Sequence, residues 1–143
     1  MSDFFYSQLD NLNGDILAAI IASGVAVSAS DGSMEEGEVS ELASSLAQLT
    51  NEQYSTEDIF SWISAGIDDV INNGPDAALG RAAEATEDPT LREVALLLAS
   101  AIAWASKGVN AKEGVRLQQL ARNLEIEQNR YFELLGEGKA LVG

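Results

Sequence analysis

Between Asp15 and Asp31 the chain carries no charged residue: Ile16, Leu17, Ala18, Ala19, Ile20 and Ile21 lead into a tail of small residues and valines. A helix uncharged on every face has to be surrounded by other helices, because no side of it is suited to water. Ile16, Leu17, Ile20, Ile21 and Val25 form one broad apolar face, and Ala18, Ala22, Ser23, Gly24 and Ala26 keep the rest slim. The segment is therefore expected at the centre of the fold. It and the second uncharged run, 94–106, fall short of the roughly 20 apolar residues that span a bilayer, so both are read as core helices.

The rest of the chain is organised around that helix at the same period. Phe4, Phe5, Leu9 and Leu12 recur at helical spacing up to Asn13-Gly14. Asp31-Gly32 ends the uncharged helix, and Ser33 with Glu36 has the capping-box spacing for the next one. That helix buries Val39, Leu42, Leu46 and Leu49 and exposes Glu41, Ser44 and Gln48. Ser55 with Asp58 caps a stripe of Ile59, Phe60, Ile63, Ile67, Val70 and Ile71. Asn72-Asn73-Gly74-Pro75 stops one helix and starts another, since glycine suits the left-handed cap and proline the first turn. An alanine-rich segment, 76–86, follows. Asp88-Pro89 opens a helix with Leu91, Val94, Ala95, Leu98 and Ile102 inside. Asn110 and Glu113 repeat the capping spacing ahead of an inward set of Val115, Leu117, Leu120, Ala121 and Leu124. A last helix, 127–138, carries Tyr131, Leu134 and Leu135, and Trp62 and Trp104 fall within apolar stripes as core residues. No run alternates at period two, so the fold class is all-α, in one domain spanning 1–143.

Charge and composition exclude several functions. There is no histidine or cysteine among the 143 residues, which removes the usual general base, thiolate chemistry and His- or Cys-ligated zinc. Any metal would be a hard ion on oxygen ligands, with Ca²⁺ and Mg²⁺ the first candidates. The formal net charge is −15, and every lysine and arginine lies at Arg81 or later. Such a surface repels nucleic acid and anionic lipid and attracts cations or basic proteins. The start of the chain, with acids and no basic cluster, does not read as a signal peptide, so a cytoplasmic protein is expected.

A second copy of the first pattern is visible. Aligning Ala29-Ser30-Asp31-Gly32 with Ala105-Ser106-Lys107-Gly108 superposes the two uncharged helices without gaps. Dropping one residue in the second turn then sets Glu38 on Glu113, Leu42 on Leu117 and Leu49 on Leu124. Two pseudo-repeats, 15–50 and 91–126, are thus expected to bury their uncharged helices together. With Ala29, Asp31, Gly32, Glu38 and Leu42 in the first half, and Gly108, Glu113, Leu117, Leu120, Ala121, Leu124 and Ile126 in the second, the chain resembles the TerB and TerB-like tellurite-resistance family. The resemblance implies a compact bundle of about seven helices, two pseudo-repeated halves, an acidic surface proposed to bind divalent metal, and a bacterial stress-response role without enzymatic activity. Lys107 stands where the family's second repeat has an Asp, which argues against two symmetric metal sites.

The candidate metal ligands are Asp31, Glu35 and Glu38, joined by Glu113 from the other half. Carboxylates converging on a tight glycine turn supply several oxygens to Ca²⁺ or Mg²⁺. Two other readings fit the same residues: capping and favourable placement at a helix N-terminus, or a salt bridge in which Lys107 takes the cation's place. Catalysis has little support, without a phosphate loop or nucleophile elbow. Asp68 and Asp69, neighbours that point about 100° apart on a helix, read as a solvated face rather than an acid–base pair. Two functions are carried forward. One is a non-enzymatic stress-response module that binds a divalent cation. The other is an interaction domain whose acidic half docks a basic partner or a second copy of itself, without metal.

Overall fold

Burial of the uncharged segment dictates the arrangement of everything else. The computed structural model describes residues 5, 7–8, 12–28, 36–106 and 111–142, with the backbone alone at Glu36, Glu38, Ser106 and Val142. Eight helices run in order through these residues: α1 (Gly14–Ser28), α2 (Glu36–Leu49), α3 (Thr56–Asn73), α4 (Pro75–Leu79), α5 (Arg81–Ala85), α6 (Pro89–Ser106), α7 (Ala111–Asn123) and α8 (Gln128–Val142). There is no strand among them. The all-α bundle is as expected, with one helix more than the resemblance implied because the alanine-rich segment breaks at Gly80.

α1 and α6, which carry the two uncharged runs, lie against one another, and the other helices pack around them: α3, α4 and α5 on α1, α8 on α6. Leu96, Leu97, Leu98 and Ala99 are all fully buried, so α6 is enclosed on every side through its middle. α2 packs chiefly on α3, and α7 on α1 and α6. No helix among the described residues is long and apolar enough to cross a membrane.

Close approach between these helices depends on missing side chains. A Cβ on Gly24 of α1 would stand 2.6 Å from the Ile102 side chain and 3.4 Å from the Ala99 backbone of α6. On α3, a Cβ at Gly66 would meet the Ala22 backbone at 3.2 Å. At the crossing of α6 and α8, a Cβ on Gly138 would lie 2.7 Å from Ser100 Cβ and 2.8 Å from the Leu97 carbonyl. The Ser100 hydroxyl also donates to the Leu135 carbonyl at 3.1 Å. This crossing explains why α8 continues past position 138, where the sequence pattern placed its end. Gly138 is required for packing there, and Leu141 beyond it reaches the core.

Caps follow the sequence in the described segments. The Ser55 hydroxyl accepts from the Asp58 N–H at 3.0 Å, and Asp88 Oδ1 from the Thr90 N–H at 2.9 Å. Gly74 takes φ +88° between α3 and α4, with Pro75 in the first turn of α4. Asn13, expected to close the first segment, instead caps α1 by accepting from the Ile16 N–H at 2.9 Å. The Ser33/Glu36 and Asn110/Glu113 caps rest on residues outside those described.

One polar group sits in the centre. Ser23 is fully buried on α1, donates to the carbonyls of Ala78 and Leu79 at 3.2 and 3.3 Å, and accepts from the Ala82 N–H at 3.0 Å. It thereby joins the end of α4 to the start of α5, where the break at Gly80 leaves backbone groups without helical partners.

Several residues expected inside are not. Val115 is 55% exposed and Ile71 62% exposed: Val115 falls on the side of α7 opposite Glu113, Leu117, Leu120 and Ala121, and Ile71 lies one position, about 100°, beyond buried Val70. Trp62 and Trp104 are half-buried rather than core. Trp62 meets Tyr54 edge to face at 5.5 Å, and Lys139 Nζ lies 4.6 Å from the centre of the Trp104 ring.

Two glycines of α8 give opposite expectations. Gly136 is exposed with nothing near a built Cβ, so Gly136→Ala should stabilise by about 0.5–1 kcal/mol through helix propensity alone. Gly138→Ala should destabilise by about 1–3 kcal/mol through overpacking against backbone and Ser100. Urea unfolding of the two single variants checks the sign of each.

Candidate functional site

Of the four residues singled out as metal ligands, Asp31 and Glu35 lie outside the described residues. Glu38 falls in the first turn of α2, and its side chain is also outside the described set. Glu113 is on the first turn of α7, 7% exposed, and has an interaction partner within the chain. The helices bearing Glu38 and Glu113 have different principal neighbours, and α6 is the one they share. Among the described residues no group of three or more acidic side chains is arranged to hold a metal ion.

The described charges sort themselves by helix geometry. Arg81 on α5 forms a two-point ion pair with Asp69 on α3, Nε to Oδ2 at 2.9 Å and the second guanidinium nitrogen to Oδ1 at 3.0 Å. Asn73, one turn on, donates to the same carboxylate at 2.7 Å. Asp69 and Asp68 were read together as a solvated face. Instead Asp69 is tucked under Arg81 while Asp68 is exposed, because adjacent helix positions diverge by about 100°. The guanidinium beside Asp69 holds its carboxyl below the ordinary carboxylate range, against an opposing contribution from burial.

Other cations are also engaged locally. Arg92 on α6 donates to the Thr86 and Ala83 carbonyls at 2.8 and 3.0 Å, closing the C-terminus of α5. Arg116 reaches Asp76 at 3.2 Å, and Arg130 reaches Glu93 at 2.8 Å. Lys139 lies over Trp104. Tyr131 on α8 is buried, and that burial pushes its phenol up.

The outer surface of α2, α3 and the turn between them carries carboxylates as its charged groups among the described residues. Glu41, Glu52, Glu57, Asp58 and Asp68 are exposed, and the ion pairs among the described residues leave all of them out. The N-terminal half has no basic residue of its own, and among the described residues the ion pair that reaches it is the one between Arg81 and Asp69. The arrangement can attract and hold positive charge. Compared with family models, with curated proteins and with solved structures, the chain matches none.

The depressed carboxyl of Asp69 makes a pH expectation with a definite sign. Its contribution to stability is present at neutral pH and lost as pH falls below the ordinary carboxylate value, near about 4, through the lower folded value. Asp69→Asn should cost about 1 kcal/mol at pH 7 and flatten that part of the acid limb. Chemical denaturation of both proteins at a series of pH values measures it; equal wild-type and variant slopes in the acid range would exclude the pair as a contributor.

Proposed function

We propose that this protein is a non-enzymatic, TerB-like binding module whose acidic N-terminal half takes a basic protein partner. The observation that carries this reading is the uncompensated acidic surface of α2 and α3, where Glu41, Glu52, Glu57, Asp58 and Asp68 are exposed without ion pairs. A surface of one sign steers an oppositely charged partner and speeds its encounter. The absence of histidine and cysteine, together with shifted groups whose causes are an ion pair and plain burial, supports binding rather than catalysis. A place in bacterial stress resistance rests on the family resemblance alone.

A divalent cation at Asp31, Glu35, Glu38 and Glu113 is the second reading. Its support is the spacing of these carboxylates about a glycine turn, which can supply several oxygens to a hard ion. A thermal melt of EDTA-treated protein with millimolar Ca²⁺, Mg²⁺ or Mn²⁺ at matched ionic strength separates the two. A rise with one ion, lost in Asp31→Asn/Glu38→Gln, would establish the metal; saturation at a hundred times Kd gives about 2.7 kcal/mol. The partner reading expects no ion-selective rise. It expects instead that oligolysine binds, by calorimetry, with an affinity that falls steeply as NaCl is raised. Neutralising Glu57, Asp58 and Asp68 together should weaken that binding, and an unchanged affinity would refute the reading.

A further inference from the structure

α1, α3 and α5 leave an open groove of about 470 Å³ between them. Its walls are small: Ala18, Ala19 and Ala22 from α1, Ala65 and Gly66 from α3, and Ala85 from α5. Side chains this short bring the groove floor close to the helix backbones, which allows another helix to approach at the distance of tight helix packing. Trp62 stands at one part of the wall, and Asp69, Arg81 and Glu84 at another.

Both are held in place before any ligand arrives. Trp62 is fixed edge to face by Tyr54, whose hydroxyl donates to the Leu12 carbonyl at 3.1 Å, and Gly14 lies beside the indole, where a Cβ would be 3.7 Å from it. Asp69 and Arg81 lock one another by their two-point pair. Asp15 and Asp58 are exposed one helical turn before Ala18/Ala19 and Trp62, on the same helix faces. The groove therefore has an apolar floor and a carboxylate rim of Asp15 and Asp58, while its one lining arginine, Arg81, is already paired with Asp69 and lies 3.7 Å from Glu84.

From this geometry we infer that the groove is the docking site for a basic amphipathic helix. The ligand's small apolar face lies on the alanines, its lysines or arginines meet the rim carboxylates, and one of them stacks on Trp62. Charge decides between occupants. A second copy of a chain with net charge −15 would bring acids onto acids, and an anionic lipid surface would be repelled in the same way. This inference rests on the basic-partner reading and adds to it where, and in what conformation, the partner binds.

The test uses the full chain and a peptide of about 18 residues with lysine on one helical face and alanine and leucine on the other. Calorimetry gives Kd, and amide shifts locate the contact. Shifts centred on Ala18, Ala22, Ala65 and Ala85 are expected. Ala19→Gln/Ala65→Gln fills the groove from solvent-facing positions and should weaken binding about tenfold or more, as should Asp15→Asn/Asp58→Asn. A peptide of the same composition in scrambled order should bind similarly weakly, and circular dichroism melts confirm that both variants fold. If the groove-filling variant binds normally while neutralising Glu57, Asp58 and Asp68 weakens binding, the groove is refuted and the basic-partner reading stands. Equal affinity for the scrambled peptide also refutes it. A dimer of the free chain that Ala19→Gln/Ala65→Gln dissociates would make a second copy the occupant, again refuting it. If neither peptide nor oligolysine binds, both readings fall.

Discussion

The contact between α1 and α6 is the constraint on which the other helices depend. Neither helix has a charged or strongly polar face to offer water through its buried length, so each has to be covered. Laying them side by side covers one flank of each and leaves the other flanks for α3, α4 and α5 on one and α8 on the other. The approach is close because Gly24 sits where any side chain would strike Ile102. Burial of apolar area drives the association, but the small residues determine which faces meet.

That division of labour explains what could be read from the chain before its structure. The apolar period of 3.6 residues located the helices and most of the inner residues, since burial leaves its mark directly on residue type. The caps at Ser55 and Asp88 and the turn at Gly74-Pro75 were equally legible, being local chemistry within a few residues. Misreadings occurred where the deciding contact is distant in sequence. Gly138 looks like a helix stop until Ser100 and Leu97 are placed beside it. Asp69 looks solvated until Arg81 arrives from α5. Val115 and Ile71 are apolar but sit off the buried face of their helices, Val115 on its far side. The groove left no pattern beyond alanine at helical spacing, which also describes an ordinary packed helix. The acidic imbalance was plain, whereas the ligand set around Asp31, Glu35 and Glu38 falls outside the described residues.

Charge is arranged in this protein by a different logic from packing. Four arginines of the C-terminal half are drawn into structural work: Arg92 closes a helix end, Arg130 ties α8 to α6 through Glu93, Arg81 anchors Asp69 of the N-terminal half, and Arg116 pairs with Asp76 on α4. Holding cations in such fixed geometry removes them from the pool that might neutralise α2 and the outer face of α3. The molecule is thus electrically one-sided because its cations all lie at Arg81 or later and the paired ones are tethered by stereochemistry, and added salt would screen that face more readily than it would release the pairs.

Ser23 has a consequence for how the molecule opens. α4 and α5 are five-residue helices, too short to persist by their own hydrogen bonds, and a connector of this kind would ordinarily fray independently of the core. Here its backbone amide at Ala82 and carbonyls at Ala78 and Leu79 are tied to a hydroxyl at the centre of the bundle. Detaching the connector means exposing α1 itself, so amide exchange in this stretch reports on the cooperative unit rather than on a loop. The chain has tied two of its shortest helices to its centre through a single hydroxyl.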